Sequence, residues 1–262
     1  MTDRIKAILE KDSYNVYDMA EIVRILRSEN GCPWDKVQTH SSIKKDMIEE
    51  AYEVADAIDW DSPEMLREEL GDVMLQAVFH SVIEEEKGIF TLDDVADELC
   101  KKLIVRHPHV FGDVTADTVD KVLSNWDAIK KETKGQETFT DTLESVPKNF
   151  PALMRAQKLG KRAARAGIDF ESQAEIISSL RAVLDDIEQN GGQEDKQEVL
   201  VKDTASLLLL TTALARKNDV DCEEALSGGC KAFIQRFSEI EQGCKESGSA
   251  LKETGADELY SL

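Results

Sequence analysis

The segment MIEEAYEVADAID, residues 47–59, decides the fold because it combines two conflicting patterns. Its apolar residues recur at the three- and four-residue spacing of a helix that packs into a core. Acidic side chains nevertheless follow the edge of this apolar stripe, where charge is costly: they are Glu49, Glu50, Glu53 and Asp56. We therefore predict an amphipathic helix over residues 42–59 that presents a row of carboxylates.

The composition favours an all-α protein. The chain of 262 residues contains 14 glycines and 5 prolines, and long stretches lack the alternating pattern of β-strands. This length suits one large domain or two of about 130 residues. Caps and periodicity predict helices over residues 15–28, 42–59, 63–87, 92–107, 117–133, 151–167, 172–189, 194–217 and 221–246.

The charge balance excludes several functions. The chain carries 32 basic and 53 acidic residues, a net charge of −21, which argues against binding of a nucleic acid polymer. No apolar run reaches the roughly 18–20 residues of a membrane span, and the N-terminal segment has no secretory pattern. The five cysteines lack C-x-x-C spacing and fit reduced thiols. We expect a cytoplasmic protein without a membrane or nucleic acid partner.

The second half of the chain repeats the first. DDVADELCKKLIVR, residues 93–106, aligns with EEALSGGCKAFIQR, residues 223–236, at an offset of 130. ELGDVMLQAVF, residues 69–79, aligns with DTASLLLLTTA, residues 203–213, at an offset of 134. A repeat of this length indicates tandem domains rather than a solenoid. We predict two related helical bundles, residues 1–133 and 151–262, joined by a linker over residues 134–150.

Two consecutive predicted helices carry pairs of carboxylates three residues apart. Glu50 and Glu53 form the first pair and Glu69 and Asp72 the second, so each pair shares a helix face. If the helices lie antiparallel, the pairs face one another, and a hard divalent cation would relieve their repulsion. A solvated acidic face explains the same periodicity. A di-iron centre is disfavoured because it uses Glu-x-x-His pairs, which neither helix has.

Longer motifs surround these carboxylates: they are GCPWDKVQTHSSIKKDMIEEAYEVADAI, LREELGDVMLQAVFHS, LIVRHPHVFGD and VLSNWDAIKKET. Together they resemble the MazG family of nucleoside triphosphate pyrophosphohydrolases, densely in the first half and more weakly in the second. The family pattern E-E-x-x-E followed by E-x-x-D is met by Glu49, Glu50, Glu53, Glu69 and Asp72. The resemblance implies helical domains, a homodimer or higher oligomer, dependence on Mg²⁺ (with Mn²⁺ as a substitute), and cleavage of nucleoside triphosphates to monophosphate and pyrophosphate.

The resemblance also implies roles for the carboxylates. The metal ligands would be Glu50, Glu53, Glu69 and Asp72. Glu49 or Glu50 would act as the general base for a water that attacks the α-phosphorus.

Basic and aromatic residues are predicted to complete the site. Lys102 and Arg106 match basic positions of the family and would offset phosphate charge. Trp126 would stack on the base, with Lys130 one turn later. Lys45 and Arg67, which precede the two acidic motifs, are further candidates for substrate binding. The alternative for each cation is a solvated surface position, and for the tryptophan a core or interface position.

The second domain departs from the family pattern. Its equivalents of E-E-x-x-E are Ala182, Val183 and Asp186, and its equivalents of E-x-x-D are Asp203 and Ser206. We therefore expect chemistry in the first domain, with the second serving as scaffold, dimer partner or regulatory surface. The alternative function is a non-catalytic nucleotide- or protein-binding module that retains the metal cradle.

Overall fold

The described residues form an all-α protein with two compact units. The computed structural model describes residues 3–115, 117–118, 121–122, 125–126, 129, 138–190, 196–248, 251 and 259–260. Within these residues the chain forms helices and no strand, which confirms the predicted fold class. The units are Met1–Ile129 and Lys130–Leu262. In this described part, no helix has the length and apolarity needed to cross a membrane.

Capping residues explain where the long helices of the first unit begin. Its helices are α1 (Asp3–Leu9), α2 (Val16–Arg27), α3 (Pro33–Val37), α4 (Lys44–Asp59), α5 (Pro63–Glu86), α6 (Leu92–Arg106) and α7 (Pro108–Phe111). Asn15 and Thr91 form capping boxes that start α2 and α6. Ser62 caps α5, and Pro63 occupies its first position, where a missing amide hydrogen costs nothing.

The core of the first unit lies between α2 and the C-terminal half of α5. Its buried members are Ala20, Val23, Ile43, Val78, Phe79, Val82 and Ile83. Ala20 and Val23 lie on one face of α2, as the amphipathic pattern predicts. Ile43, which directly precedes α4 and is 3% exposed, packs in the same core. The start of α4 is therefore fixed by apolar burial.

A short connection folds α4 back against α5. The two helices pack side by side and are separated only by residues 60–62. Asp61 in this connection adopts a positive φ of 51°, a conformation that aspartate tolerates better than most residues. The carboxylates of the two helices thus lie on neighbouring, antiparallel elements.

Arg27 ties α2, α5 and the segment between α3 and α4 together. Its guanidinium donates to the backbone carbonyls of Asp35 at 2.7 Å and Gln38 at 3.1 Å. It also binds both carboxylate oxygens of Glu86 at 2.8 Å and lies 5.2 Å from the centroid of the Phe79 ring. The Arg27 side chain is 6% exposed, so these contacts replace solvent almost completely.

The second unit is also built on a packed helix pair. Its helices within the described residues are α8 (Phe139–Glu144), α9 (Ala152–Arg165), α10 (Gln173–Asn190), α11 (Lys196–Lys217) and α12 (Cys222–Ser247). The helices α10 and α11 pack together, and α9 packs on α11. Asp169 accepts hydrogen bonds from Arg216 and Lys217, which hold the pKa of its carboxyl far below the usual range. All five cysteines are free thiols, as predicted.

The structure differs from the sequence predictions at four short segments. Part of the predicted linker forms α8, which begins at a capping box made by Thr138 and Asp141; residues 134–137 lie outside the described residues. The short helices α1, α3 and α7 also lie outside the predicted ranges, and both α3 and α7 begin at a proline. These features are too short for periodicity to reveal.

Replacing Arg27 with Met should lower the free energy of unfolding by about 2–3 kcal/mol, because two carbonyls and a carboxylate lose a buried charged donor. Urea denaturation measures the change. Arg4→Met is the matched control, since Arg4 also pairs with one glutamate but is 55% exposed, and it should cost less than about 1 kcal/mol. Equal effects of the two changes would contradict the anchoring role of Arg27.

Candidate active site and metal centre

Three carboxylates from α4 and α5 converge. One oxygen each from Glu50, Glu69 and Asp72 lie within 4.8 Å of one another, and all three residues are partly buried. In the part of the chain that the structure describes, these are the only three histidine, cysteine or acidic residues so arranged. The two three-residue spacings seen in the sequence therefore meet across the α4–α5 pair.

The convergence raises the pKa of two of these groups. Burial raises the pKa of Glu50, and the negative charges of Asp72, Glu53, Asp46 and Glu49 raise it further. Burial also raises the pKa of Glu69, assisted by the charge of Glu53 and by a hydrogen bond that protonated Glu69 donates to Glu53. All the charges that shift these two pKa values are themselves carboxylates. The cluster is therefore electrostatically unfavourable when fully ionised.

The donor set fits a hard divalent cation. Carboxylate oxygens from neighbouring helix turns are the ligands that Mg²⁺ and Mn²⁺ prefer, and these ions commonly share their coordination with phosphate oxygens and water. Partial burial leaves the cluster accessible to such a ligand. A solvated acidic face would instead separate its charges, whereas here the pKa values show that the charges oppose one another.

The other acidic candidates lie beside this cluster. Glu53, predicted as a ligand, is exposed but contacts Glu69 through their shared hydrogen bond. Glu49 is exposed on α4, next to Glu50 in sequence, and its charge reaches Glu50. Both residues lie on α4 next to the three converging carboxylates without belonging to the group of three.

A second group joins the end of α6 to Trp126. The guanidinium of Arg106 lies 5.4 Å from the centroid of the Trp126 ring, and the His107 ring meets the same indole edge-on at 5.0 Å. The Nδ1 atom of His107 is also 2.6 Å from the carbonyl of Leu103, which orients the imidazole. The structure thus brings the predicted Arg106 and Trp126 together, and it adds His107.

The remaining basic candidates are exposed on separate helices. Lys45 lies in the first turn of α4, Arg67 near the start of α5, and Lys102 one turn before Arg106 on α6. Lys130 lies outside the described residues. The i,i+4 spacing of Lys102 and Arg106 places both cations on one face of α6.

The equivalent positions in the second unit do not form such a cluster within the described residues. Asp186 is exposed on α10, whereas Asp203 on α11 is only 7% exposed. The Oδ2 atom of Asp203 lacks a hydrogen-bond partner among the described groups. Ser206 donates its hydroxyl to the carbonyl of Lys202 at 3.0 Å. A helix pair is present, but in the described part of this unit no three potential metal ligands converge.

Sequence reasoning missed two contacts near the site. The ring contact of His107 with Trp126 was not foreseen. His40 and His80 were not assigned any role, yet their Nδ1 atoms are 2.7 Å apart. The only sequence sign of the latter pair was their placement in motifs that flank the two acidic segments.

The amino-acid sequence is similar to those of known proteins. The model of the MazG nucleotide pyrophosphohydrolase domain matches residues 38–111. The nucleoside triphosphate pyrophosphohydrolase of Escherichia coli K12 is 37% identical, over 89% of this chain and 89% of its own length. The nucleoside triphosphate pyrophosphohydrolase/pyrophosphatase MazG of Thermotoga maritima is 36% identical, over 92% of this chain and 91% of its own. The protein YabN of Bacillus subtilis is 40% identical over 92% of this chain, which spans 49% of YabN.

The fold and the carboxylate cluster define an all-α hydrolase of the nucleotide pyrophosphohydrolase class. The extent of the likeness to the two full-length relatives shows the family directly. The chain belongs to the MazG family.

Glu69→Gln should raise the thermal midpoint of the metal-free protein. Because the pKa of Glu69 is raised, its ionised form opposes folding above its ordinary pKa, and removing that charge relieves the repulsion. A divalent cation should raise the thermal midpoint of the wild type but not that of the variant. The effect on the wild type should weaken as pH falls, because protons compete with the cation for the carboxylates. Differential scanning fluorimetry with and without Mg²⁺ measures both effects.

Glu98→Gln, an exposed change on α6, is the matched control and should leave the cation effect intact. A cation-induced shift of equal size in the wild type and in Glu69→Gln would contradict a metal centre at this cluster.

Proposed function

We propose that the first unit hydrolyses nucleoside triphosphates to nucleoside monophosphate and pyrophosphate with the help of Mg²⁺, for which Mn²⁺ can substitute. The observation that carries this proposal is the convergence of Glu50, Glu69 and Asp72 within 4.8 Å, with only carboxylates among the charges that shift the pKa values of Glu50 and Glu69. The names of the full-length relatives support the substrate class.

The four proposed ligands are Glu50, Glu53, Glu69 and Asp72. Glu53 completes the set because it already contacts Glu69 and lies one turn from Glu50 on α4. A cation held there would offset phosphate charge and lower the pKa of a water. Because the cation would bridge the carboxylates and the phosphate, the positions of the carboxylates on α4 and α5 would determine where the α-phosphate lies.

Glu49 and Glu50 are the proposed general bases. The water oxygen bonds to the α-phosphorus while the bond from that phosphorus to the bridging oxygen breaks, and pyrophosphate leaves. The proton of the water passes to a carboxylate of α4. The raised pKa of Glu50 suits a base, since it brings the group nearer to the operating pH. Glu49, which is exposed, is the alternative acceptor when Glu50 is held as a ligand.

The proposed substrate contacts lie at the end of α6 and at Trp126. Lys102 and Arg106 would offset charge on the phosphates, which carry more negative charge than one divalent ion neutralises. The Trp126 indole offers a face for stacking on any base, and Arg106 and His107 hold its ring. Lys130, Lys45 and Arg67 remain proposed secondary contacts.

The second unit is proposed to do no chemistry. Asp186 and Asp203 differ in exposure, Ser206 cannot supply a carboxylate, and no group of three potential metal ligands is found among the described residues of this unit. This unit would act as scaffold, dimer partner or regulatory surface.

A second copy of the chain is the proposed partner of the first unit. The 15-residue helix α6 buries none of its side chains within the described residues. Val95, Leu99 and Leu103 nevertheless form an apolar stripe at four-residue spacing, with 40–46% exposure. The start of α6 packs on α5 and the core, but this stripe stays exposed, so a covering surface would stabilise the rest of the helix. A homodimer or higher oligomer would cover this stripe. The free thiols fit a reducing cytoplasm as the place of the protein.

The activity is tested by the matched pair Glu69→Gln and Asp203→Asn, which remove a carboxylate charge at equivalent positions of the two units. Pyrophosphate release with Mg²⁺ and a panel of triphosphates is measured. Glu69→Gln should lower kcat/KM by about 100-fold or more, as loss of a catalytic metal ligand does. Asp203→Asn should leave it within about threefold, because Asp203 lies outside the proposed shell.

Loss of activity in Asp203→Asn with normal stability would place the chemistry in the second unit. Binding of triphosphate without turnover by the wild type would favour the non-catalytic alternative, a nucleotide-binding module with a retained metal cradle.

Leu99→Glu should shift the wild-type oligomer toward monomer, because it places a charge within the apolar stripe of α6. Multi-angle light scattering after size-exclusion chromatography measures the molar mass. Val37→Glu, at a 69% exposed position off this helix, is the control and should leave the mass unchanged. A monomeric wild type would refute the proposed interface.

A further inference from the structure

Two histidines outside the carboxylate cluster form a hydrogen-bonded pair. The Nδ1 atoms of His40 and His80 are 2.7 Å apart, and their rings stack with an interplanar angle of 13°. The Nε2 atom of His40 lies 2.5 Å from Oε1 of Glu84. His40 is thus hydrogen-bonded to the imidazole of His80 through one ring nitrogen and to the carboxylate of Glu84 through the other.

The short Nδ1–Nδ1 distance accommodates one proton. A hydrogen bond requires one ring to donate an N–H and the other to accept with a lone pair. Two protonated Nδ1 atoms would point their hydrogens at each other, and two unprotonated atoms would oppose their lone pairs. The His40 Nε2–H donates to the carboxylate of Glu84, which leaves Nδ1 of His40 free to share the remaining proton with His80.

This pair joins the segment before α4 to α5, the helix that carries Glu69 and Asp72. His40 lies three residues before the buried Ile43, and His80 lies two turns beyond Asp72 on α5. The opposite end of α4 is fixed to α5 by the connection over residues 60–62. The α4–α5 pair is therefore held at both ends, and Glu50 lies between them.

We propose that His40 and His80 are positioning residues whose shared proton clamps the start of α4 to α5 and keeps Glu50 against Glu69 and Asp72. A second proton on the pair opens the clamp and lowers turnover on the acid side of neutrality. This inference deepens the proposed function and rests on it.

The neighbouring charges favour one shared proton. Glu84, which His40 contacts, also pairs with Lys87 at 2.6 Å. The cations of α2 are engaged elsewhere on α5, Arg24 by Glu85 and Arg27 by Glu86. These contacts leave Glu84 as the carboxylate that balances the imidazole pair among the described residues.

Two acidic groups of α6, which also packs on α5, have partners of their own. Asp94 accepts from Thr91 at the cap, and Asp97 pairs with Lys101. The carboxylate in direct contact with the imidazole pair is that of Glu84.

The pKa of His80 is consistent with a clamp that is closed near neutral pH and opens as pH falls. Burial, followed by the charge of His40, lowers the pKa of His80 below the usual range. The neutral imidazole is therefore favoured in the folded state. Its contribution to stability is present above the ordinary histidine pKa and is lost as pH falls through the lowered value.

Two substitutions at His80 separate the clamp from general stability. His80→Asn keeps a hydrogen-bonding group near the position of Nδ1 but does not titrate, whereas His80→Phe keeps a ring and removes the hydrogen bond. At about pH 8, His80→Phe should lower kcat by about tenfold or more through misplacement of α4, with KM nearly unchanged. His80→Asn should stay close to the wild type at that pH.

The pH profile is the deciding readout. As pH falls from about 8 to about 5.5, the ratio of kcat for His80→Asn to that of the wild type should rise, because only the wild type gains the second proton. Ile83→Val, a core change on α5 that leaves both imidazoles and Glu84 in place, is the stability control and should follow the wild-type profile. A ratio that does not change with pH, or a His80→Phe variant with wild-type kcat, would overturn the inference.

Nitrogen NMR of the histidine rings tests the clamp without any assay of turnover. With four histidines in the chain, the signals are assigned by single substitutions. Near neutral pH one of the two rings should show a protonated Nδ1 and the other an unprotonated Nδ1, and both should titrate together. Two rings protonated only at Nε2, titrating independently, would overturn the clamp. A wild type that shows the shared proton but releases no pyrophosphate would instead refute the proposed function.

Discussion

The mutual repulsion of carboxylates between α4 and α5 is the constraint on which the arrangement of the first unit depends. Three carboxylates converge within 4.8 Å, and the surrounding charges that raise the pKa values of Glu50 and Glu69 have the same sign. Folding holds them together because the apolar core fixes α5 and the start of α4 independently of these charges. In the proposed function, a divalent cation would relieve this repulsion, and an acidic chain could then bind an anionic substrate through the cation.

The segment before α4 shows how much structure serves this convergence. Ile43 inserts into the core, Arg27 binds the carbonyls of Asp35 and Gln38, and His40 reaches across to α5. The three contacts differ in kind: Ile43 is buried among apolar side chains, Arg27 forms charged hydrogen bonds, and His40 forms a hydrogen bond with a second imidazole. In the second unit a comparable helix pair, α10 and α11, persists without a carboxylate cluster in the described residues. The helix pair can therefore serve packing alone, and the first unit adds a carboxylate cluster to it.

The sequence predicted what depends on neighbours along the chain. Periodicity, capping residues and the two three-residue spacings were sufficient for the long helices and for the meeting of Glu50 with Glu69 and Asp72. Contacts between distant residues left no such pattern. His40 and His80 are separated by 40 positions, and nothing in their spacing indicates a shared proton. The ring contact of His107 with Trp126 and the burial of Arg27 were invisible for the same reason, since tertiary packing decides them.

The location of the cation tests the central claim most directly. Crystals grown with Mn²⁺ and a triphosphate analogue that resists cleavage between the α- and β-phosphates can be measured at the manganese absorption edge. The account predicts an anomalous peak between α4 and α5, bound by oxygens of Glu50, Glu69 and Asp72 and by a phosphate oxygen of the analogue. A peak at Asp203 in the second unit, or bound analogue without manganese at the first cluster, would contradict it.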